Sequence, residues 1–224
     1  MVWAPNVGIN YPFHSGTASP PAVGTPDFIA LDTNRDGVID LKDDPYTPYY
    51  PGDTYVDWVG LSLYWYPDAG TGFNIAPDPR YFLDQITGTG ASILKYQPAV
   101  NGQANRNFYQ NFAVTRNKPL IIPETSSPEF PQLPQTQPAV QIKQDWWRQM
   151  LEPSTTSKFP MIKAVVWFEE VKNDGVNVRD WTLASTPSVL SAFQTDVAGY
   201  VAAKAIVTAP VLKVSCGGGV VTFA

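Results

Sequence analysis

Short apolar runs that end in polar residues recur along the chain. The clearest covers residues 118–125, where a lysine and a proline precede three aliphatic residues, and a proline, a glutamate and a threonine close the run. A short apolar run bounded by turn signals is typical of a β-strand that is buried on both faces. Four runs of this design predict four strands of one parallel sheet. They cover residues 1–4, 55–66, 118–124 and 162–168.

Helical periodicity occupies the segments between and after these strands. Apolar residues recur at helical spacing in residues 105–117 and 139–151, and the second segment carries a broad apolar stripe. A short helix is predicted over residues 78–85, and a final helix is predicted from a cap near Ser185 to about residue 203. Strands that alternate with helices predict an α/β fold with right-handed crossovers.

The chain also contains one long insertion and one tail. Residues 7–30 are rich in Gly, Pro, Ser and Thr without an apolar period, which predicts a loop. We interpret residues 7–54 as an insertion in a domain that covers residues 1–203. Residues 204–224 alternate β-forming residues with proline and glycine. This tail is predicted to form an added strand pair or to be poorly ordered.

An acidic stretch in the insertion, residues 32–43, has the spacing of a calcium-binding loop. Oxygen-bearing side chains fall at positions 1, 3, 5, 9 and 12, and a glycine occupies position 6. Position 12 is an aspartate where a bidentate glutamate is usual. We predict a structural Ca²⁺ site without a preceding helix; the alternative is a polar turn that binds no ion. The predicted ligands are Asp32, Asn34, Asp36, the carbonyl of Val38, Asp40 and Asp43.

Composition and charge exclude several classes of partner. The 224 residues include 20 acidic and 15 basic ones, which gives a net charge of −5. This balance argues against binding to nucleic acid or to an anionic membrane. No apolar run is long enough to span a bilayer. The single cysteine, Cys216, allows no intrachain disulfide, and the single histidine, His14, lies in the predicted loop, where a solvated side chain is the ordinary interpretation.

Polar and aromatic residues follow the ends of the predicted strands. Glu124 ends the central strand, residues 64–66 are a Tyr-Trp-Tyr cluster, and Trp167 is followed by Glu169 and Glu170 after one intervening residue. The carboxyl ends of parallel strands are where α/β proteins place their chemistry. We therefore predict a site at this edge of the sheet. The alternative interpretation is solvated strand-end acids and core aromatic residues.

Six segments, taken in order, resemble one known family. They read VWAPN, YYPGDTYVDWVGLSLYWY, KPLIIPETS, IKQDWWRQM, FPMIKAVVWFEEVK and RDW. As a set they resemble the carboxyl-terminal half of glycoside hydrolase family 26 over residues 1–200. Members of that family are retaining hydrolases with a (β/α)8 TIM-barrel fold, mostly endo-β-1,4-mannanases. The resemblance implies that this chain holds strands five to eight of such a barrel together with the calcium-loop insertion.

The resemblance also implies roles for the strand-end residues. Glu124 matches the catalytic nucleophile, and Tyr64 matches the tyrosine that hydrogen-bonds and orients it. Trp167 matches the aromatic platform beneath the sugar at the cleavage point. Weaker matches to cleft residues are Trp3, Asn6, Trp65 and Tyr66.

The acid/base residue of the family has no counterpart in this chain. The family carries it in a His-Glu motif, whereas His14 is followed by Ser15. Retaining hydrolysis needs a second carboxylate, and loss of the general acid costs roughly 10²–10⁴-fold in rate. Glu169 or Glu170 could replace it, since both follow a strand that ends at the same edge. Otherwise we expect the chain to be weak or inactive alone.

The resulting expectation is a nucleophile-bearing half of a hydrolase for a β-glycan such as mannan. Because a complete barrel takes roughly 250 residues, a missing N-terminal half or a second copy of the chain would complete it. The alternatives are a non-catalytic glycan-binding protein and a half-barrel assembly protein. An extracellular location follows from the resemblance and from the availability of calcium.

Overall fold

Four parallel strands form the central sheet, in the order β1-β2-β3-β4. The computed structural model describes residues 1–7, 19–40, 42–66, 72–89, 107–173, 175, 177–206, 212–216 and 219–223, the last two ranges as backbone. The sheet confirms the predicted mixed α/β class with parallel strands. Its strands are β1 (Val2–Trp3), β2 (Trp58–Gly60), β3 (Leu120–Thr125) and β4 (Ile162–Trp167).

The helices follow the predicted periodicity, with two additions. Helix α4 has the predicted bounds, whereas α1 and α5 lie where no helix was predicted, and α1 directly precedes the acidic loop. Both begin with a proline in their first turn, and the Thr25 hydroxyl caps α1 by accepting from the Phe28 N–H at 3.2 Å. The α- and π-helices are α1 (Pro26–Leu31), α2 (Tyr81–Thr87), the π-helix α3 (Tyr109–Val114), α4 (Ala139–Leu151), α5 (Pro153–Lys158) and α6 (Pro187–Ala202), and a 3-10 helix covers Thr47–Tyr49.

Two antiparallel strand pairs complete the described part of the chain. Strands β5 (Val171–Asn173) and β6 (Val178–Asp180) form a hairpin after β4, in a segment where the sequence predicted no strand. Strands β7 (Leu212–Cys216) and β8 (Gly219–Phe223) pair in the tail. The hairpin places Asp180 at the end of a strand.

One face of the sheet forms the core with the helices. Alternate positions of the β2 segment, Val59, Leu61 and Leu63, are fully buried, as are Trp146 and Trp147 of α4. Burial of each large apolar side chain contributes about 1.5–3 kcal/mol of hydrophobic free energy. The alternate, buried positions of this strand therefore share the core with the apolar stripe of α4, as the sequence pattern requires.

The other face of the sheet is closely packed in the middle and open at both edges. A Cβ atom on Gly60 would lie 2.7 Å from the Ala4 Cβ and 3.1 Å from a methyl carbon of Ile121, so β2 has room only for glycine there. At the edges, Val2 on β1 and Val166 on β4 are 51% and 48% exposed. The described residues thus leave apolar side chains in solvent on this face.

A buried lysine connects α4 to the segment after the hairpin. Lys143 is 1% exposed, and its ammonium donates to the carbonyls of Asp180 and Thr182 at 2.7 and 2.6 Å and to the Asp180 carboxylate at 3.4 Å. Burial lowers the pKa of Lys143, while the charge of Asp180 opposes that shift. The three donors of the ammonium are thereby matched by three oxygens.

We expect Lys143→Met to destabilise the protein strongly. The variant removes the ammonium from the buried Asp180 carboxylate and from the carbonyls of Asp180 and Thr182, and breaking a buried ion pair from one side costs about 3–5 kcal/mol. Urea denaturation should show a loss of roughly that size in the free energy of unfolding. Lys163→Met, which removes an exposed lysine of β4, is the control and should change it by less than about 0.5 kcal/mol. A loss below about 1 kcal/mol in Lys143→Met would contradict this account.

Candidate active site

A tyrosine and a glutamate meet at the carboxyl ends of two neighbouring strands. The Leu63 N–H donates to the Glu124 carbonyl at 3.1 Å, which sets the register beyond the end of β2. The Tyr64 hydroxyl then donates to Glu124 Oε2 at 3.0 Å. Burial and the adjacent carboxylate raise the pKa of Tyr64 well above its ordinary value, so the phenol stays protonated and remains a donor. Glu124 itself is exposed and open to a ligand.

Aromatic rings surround this pair on one side. The Trp181 ring lies edge-on to Tyr64 at 5.2 Å and tilted against Tyr66 at 5.7 Å, and Phe168 lies edge-on to Tyr64 and to Trp181 at 6.1 Å. The indole N–H of Trp181 is buried and has no hydrogen-bond partner among the described residues. Sequence reasoning gave Trp181 no role, because only the hairpin brings it back against the strand ends.

Trp167 is tied to Trp181 through the backbone. Its indole N–H donates to the Trp181 carbonyl at 2.7 Å, and the Ser126 hydroxyl donates to the same oxygen at 2.8 Å. The Trp167 ring is half-buried and lies edge-on to Trp147 of α4 at 6.3 Å. The predicted platform residue therefore lies beside the aromatic group, with a fixed orientation.

The four weaker candidates divide into two pairs. Asn6 is exposed and bridges to Ser62, which places it at the same edge of the sheet as Tyr64, and Tyr66 is 48% exposed against Trp181. The other pair is Trp3 and Trp65, whose surroundings call for a correction.

Trp65 and Trp3 are packing residues. Trp65 is 1% exposed, and its indole N–H donates to the Ile75 carbonyl at 2.8 Å. Trp3 packs against the rings of Tyr50, Phe108 and Phe112, between 4.9 and 5.8 Å away. The alternation of the strand explains Trp65, since it shares a face with the buried Leu63 while Tyr64 and Tyr66 lie on the other. We therefore remove both tryptophans from the predicted cleft.

The two glutamates after β4 have different surroundings. The Glu169 carboxylate accepts from the backbone N–H groups of Leu183 and Ala184, both at 2.8 Å. Both of its oxygens are thus engaged in holding the segment after the hairpin. Glu170 is exposed, and its backbone carbonyl accepts from the backbone N–H of Trp181 at 2.9 Å. Glu169 is therefore a structural clamp for this segment.

The acidic loop is organised by its own backbone. The Asp32 carboxylate accepts from the N–H groups of Asp36 and Gly37 at 3.0 and 2.9 Å, and Asp43 accepts from those of Thr33 and Asp40 at 2.7 and 2.8 Å. Positive φ angles at residues 35 and 37 accompany these turns.

A lysine lies among the predicted calcium ligands. The Lys42 ammonium is 3.5 Å from the Asp36 carboxylate and 3.6 Å from that of Asp40. Asn34 contacts Asp36 and donates to it at 3.1 Å, while Val38 is exposed and donates its N–H to Asp36 at 3.0 Å. Within the described residues, no group of three or more His, Cys, Asp or Glu side chains is placed to hold a metal ion. His14 and the side chain of Cys216 lie outside the described residues.

No protein-family profile matches the chain, and a search of curated proteins finds no similar sequence. Among the described residues, no helix combines the length and apolarity needed to cross a membrane.

We expect Glu169→Ala to loosen the segment that carries Trp181. Without the carboxylate, the N–H groups of Leu183 and Ala184 lose their acceptors, and a hydrogen bond to a charged group contributes about 1.5–3 kcal/mol. Amide hydrogen exchange at these two residues should accelerate by roughly tenfold or more. The neighbouring variant Glu170→Ala serves as the control and should leave both amides unchanged. Equal exchange rates in the two variants would show that the clamp is unimportant.

Proposed function

We propose that this chain is the nucleophile-bearing half of a retaining glycoside hydrolase that acts on a β-linked polysaccharide such as mannan. The observation that supports this proposal is the hydrogen bond from Tyr64 to Glu124, formed at the carboxyl ends of adjacent parallel strands. An exposed carboxylate with one oxygen held by a protonated phenol is suited to attack a sugar carbon.

In the proposed reaction Glu124 forms the covalent bond to the sugar. Tyr64 holds Oε2, so we assign the attack on the anomeric carbon to Oε1. The carbon–oxygen bond to the leaving group breaks, its electron pair stays on the leaving oxygen, and a proton must reach that oxygen. Water then hydrolyses the glycosyl ester and restores the carboxylate. The rings of Trp167 and Tyr66 are the apolar surfaces that we assign to the C–H face of the sugar.

We propose that the proton donor for this reaction lies outside this chain. The Glu169 carboxylate is already engaged by backbone N–H groups. The sheet also has an open apolar face, on which Val2 and Val166 are exposed to solvent. We propose that the four strands are strands five to eight of a (β/α)8 barrel, completed by an N-terminal half or by a second copy. An N-terminal half would supply the general acid, and either partner would cover the open face, in an extracellular protein.

A non-catalytic glycan-binding role is the second candidate. It is favoured by the aromatic residues around Glu124 together with the engagement of Glu169 by the backbone. In that case glycan would bind without turnover, and Trp167→Ala would abolish binding.

A substrate with an activated leaving group tests the nucleophile without the missing acid. We expect 2,4-dinitrophenyl β-mannobioside to release dinitrophenolate in a burst that matches the protein concentration, because this leaving group departs without a proton. Mass spectrometry should then show one added glycosyl group on the peptide that contains Glu124. Glu124→Ala should remove the burst, and Tyr64→Phe should slow it by roughly tenfold or more, as loss of a charged hydrogen bond would.

Glu170→Ala is the matched control for this experiment, since it removes an exposed glutamate from the neighbouring strand end. It should leave the burst unchanged. A burst that persists in Glu124→Ala, or a glycosyl group on another residue, would contradict the assignment. Binding of mannan without any burst would favour the second candidate.

We also propose that the acidic loop binds one structural Ca²⁺. The loop supplies the carboxylate, amide and carbonyl oxygens that Ca²⁺ takes, and the Lys42 ammonium between Asp36 and Asp40 marks a place where a cation is attracted. Asp32, Asn34, Asp36, Asp40, Asp43 and the Val38 carbonyl would hold the ion, which would tie down the insertion.

Calcium should raise the thermal stability of the protein. At about 100 times its dissociation constant a bound ligand adds about 2.7 kcal/mol to the free energy of unfolding, so the midpoint of thermal unfolding should rise on addition of Ca²⁺ and fall back with a chelator. Asp32→Ala should abolish the rise. Asp27→Ala, which removes an exposed aspartate of α1, should retain it. An unchanged midpoint in the wild-type protein would overturn the calcium proposal.

A further inference from the structure

We propose that Trp181 is a positioning residue, whose indole ring fixes the Tyr64 phenol against the Glu124 carboxylate. This inference rests on the proposed function and names a further residue on which the candidate nucleophile depends. Three observations carry it: the few hydrogen bonds of Tyr64 and Glu124, the packing of three aromatic rings, and the anchoring of the Trp181 backbone at the strand ends.

Hydrogen bonds alone leave the orientation of Tyr64 and Glu124 undetermined. The Tyr64 hydroxyl donates to Glu124 Oε2 at 3.0 Å, and within the described residues neither side chain makes a second hydrogen bond. Two side chains that are bonded only to each other can move together without breaking their bond. Another contact must therefore set the direction in which the phenol points.

Ring packing supplies that contact. The Trp181 ring lies 5.2 Å from the Tyr64 ring at an interplanar angle of 67°, and Phe168 lies 6.1 Å from both rings at 85° and 77°. Edge-on contacts at these distances are the arrangement that aromatic rings prefer. Trp181 is only 5% exposed, so its ring is a fixed surface against which the phenol packs.

The backbone of Trp181 is tied to the same two strand ends. Its carbonyl accepts from the Ser126 hydroxyl at 2.8 Å, and the Ser126 carbonyl accepts from the Trp65 N–H at 3.1 Å. Ser126 lies two residues after Glu124, and Trp65 directly follows Tyr64. The contacts thus form a closed loop from Glu124 through Ser126 and Trp181 to Tyr64. A displacement of Trp181 would therefore move Tyr64 relative to Glu124.

We assign the positioning role to the indole ring and not to its N–H group. That N–H is buried and has no hydrogen-bond partner among the described residues, and an unmatched buried donor destabilises a folded protein. A phenyl ring would avoid this cost, but it is smaller, and the indole contacts both Tyr64 and Tyr66. The size of the ring is thus the feature that serves the site.

The ionisation of Tyr64 tests this inference without any substrate. Nuclear magnetic resonance of tyrosines labelled at Cζ would follow each phenol, and Tyr64→Phe would identify the signal of Tyr64. Burial and the Glu124 carboxylate raise the pKa of Tyr64. Trp181→Leu admits water to the phenol, so the midpoint of its titration should fall by about one pH unit or more. Trp181→Phe, which keeps a ring, should lower it less.

Two further variants separate the ring from other causes. Phe112→Leu shrinks a buried ring that packs against Trp3 and Tyr50, and it should destabilise the protein without moving the Tyr64 titration. Replacement of the Trp181 indole by benzothiophene removes the N–H donor, keeps the bicyclic ring and should also leave that titration in place. An unchanged titration in Trp181→Leu, an equal fall in Phe112→Leu, or an equal fall with benzothiophene would overturn the inference.

The burst of dinitrophenolate tests whether Trp181 acts through Tyr64. Trp181→Leu should slow the burst by up to about tenfold, and no more than Tyr64→Phe does. In the Tyr64→Phe background, Trp181→Leu should change the rate by less than about twofold, because both substitutions remove the same interaction. Slowing that is additive in the double variant would show that Trp181 acts on another group and would overturn the assignment.

The outcomes distinguish this inference from the proposed hydrolase. A burst that depends on Glu124, together with an unchanged rate and an unchanged Tyr64 titration in Trp181→Leu, would support the hydrolase and overturn the role of Trp181. If the wild-type protein gives no burst, the hydrolase proposal fails. A Tyr64 titration that falls in Trp181→Leu and not in Phe112→Leu would still support the positioning of Tyr64 by Trp181.

Discussion

The position of the site depends on one buried ammonium group. Lys143 projects from α4 into the protein and binds the carbonyls of Asp180 and Thr182, which are the residues on either side of Trp181. A lysine is rarely buried in a core unless oxygens replace its water. Here they do, and the contact fixes the segment after the hairpin against the helix. Trp181 is then held beside Tyr64, and its carbonyl accepts a hydrogen bond from the indole N–H of Trp167.

Close packing of strands provides the second constraint. Gly60 allows β1 and β3 to approach β2 so closely that a Cβ atom would clash, and the ladder continues to the Leu63 N–H and the Glu124 carbonyl. A shift of this register by one residue would turn Tyr64 towards the helices and Trp65 towards solvent. The hydrogen bond between Tyr64 and Glu124 is therefore a consequence of how the sheet packs several residues away.

Sequence reasoning found what periodicity encodes and missed what tertiary contacts decide. The four parallel strands follow from apolar runs, and α4 follows from its apolar stripe at helical spacing. Helix α1 was not predicted, because its segment has no apolar period, although Thr25 and Pro26 are ordinary signals for the start of a helix. Trp65 and Tyr66 are neighbours in one aromatic cluster. Only the alternation of side chains along the strand places Trp65 in the core and Tyr66 at the surface. Trp181 could not be found at all, since it reaches the strand ends through Lys143 and the hairpin.

The state of Glu124 gives a physical reason for a partner. The carboxylate is exposed, so water solvates it and weakens every electrostatic interaction that would favour attack on a sugar. A second half-barrel would contribute a proton donor and would also cover the open sheet face at Val2 and Val166. Removing that apolar surface from water would favour association. Association would also exclude water from the cleft. In this proposal assembly and catalytic competence have a common origin, because the surface that must be buried lies on the same face of the sheet as the carboxylate that must be desolvated.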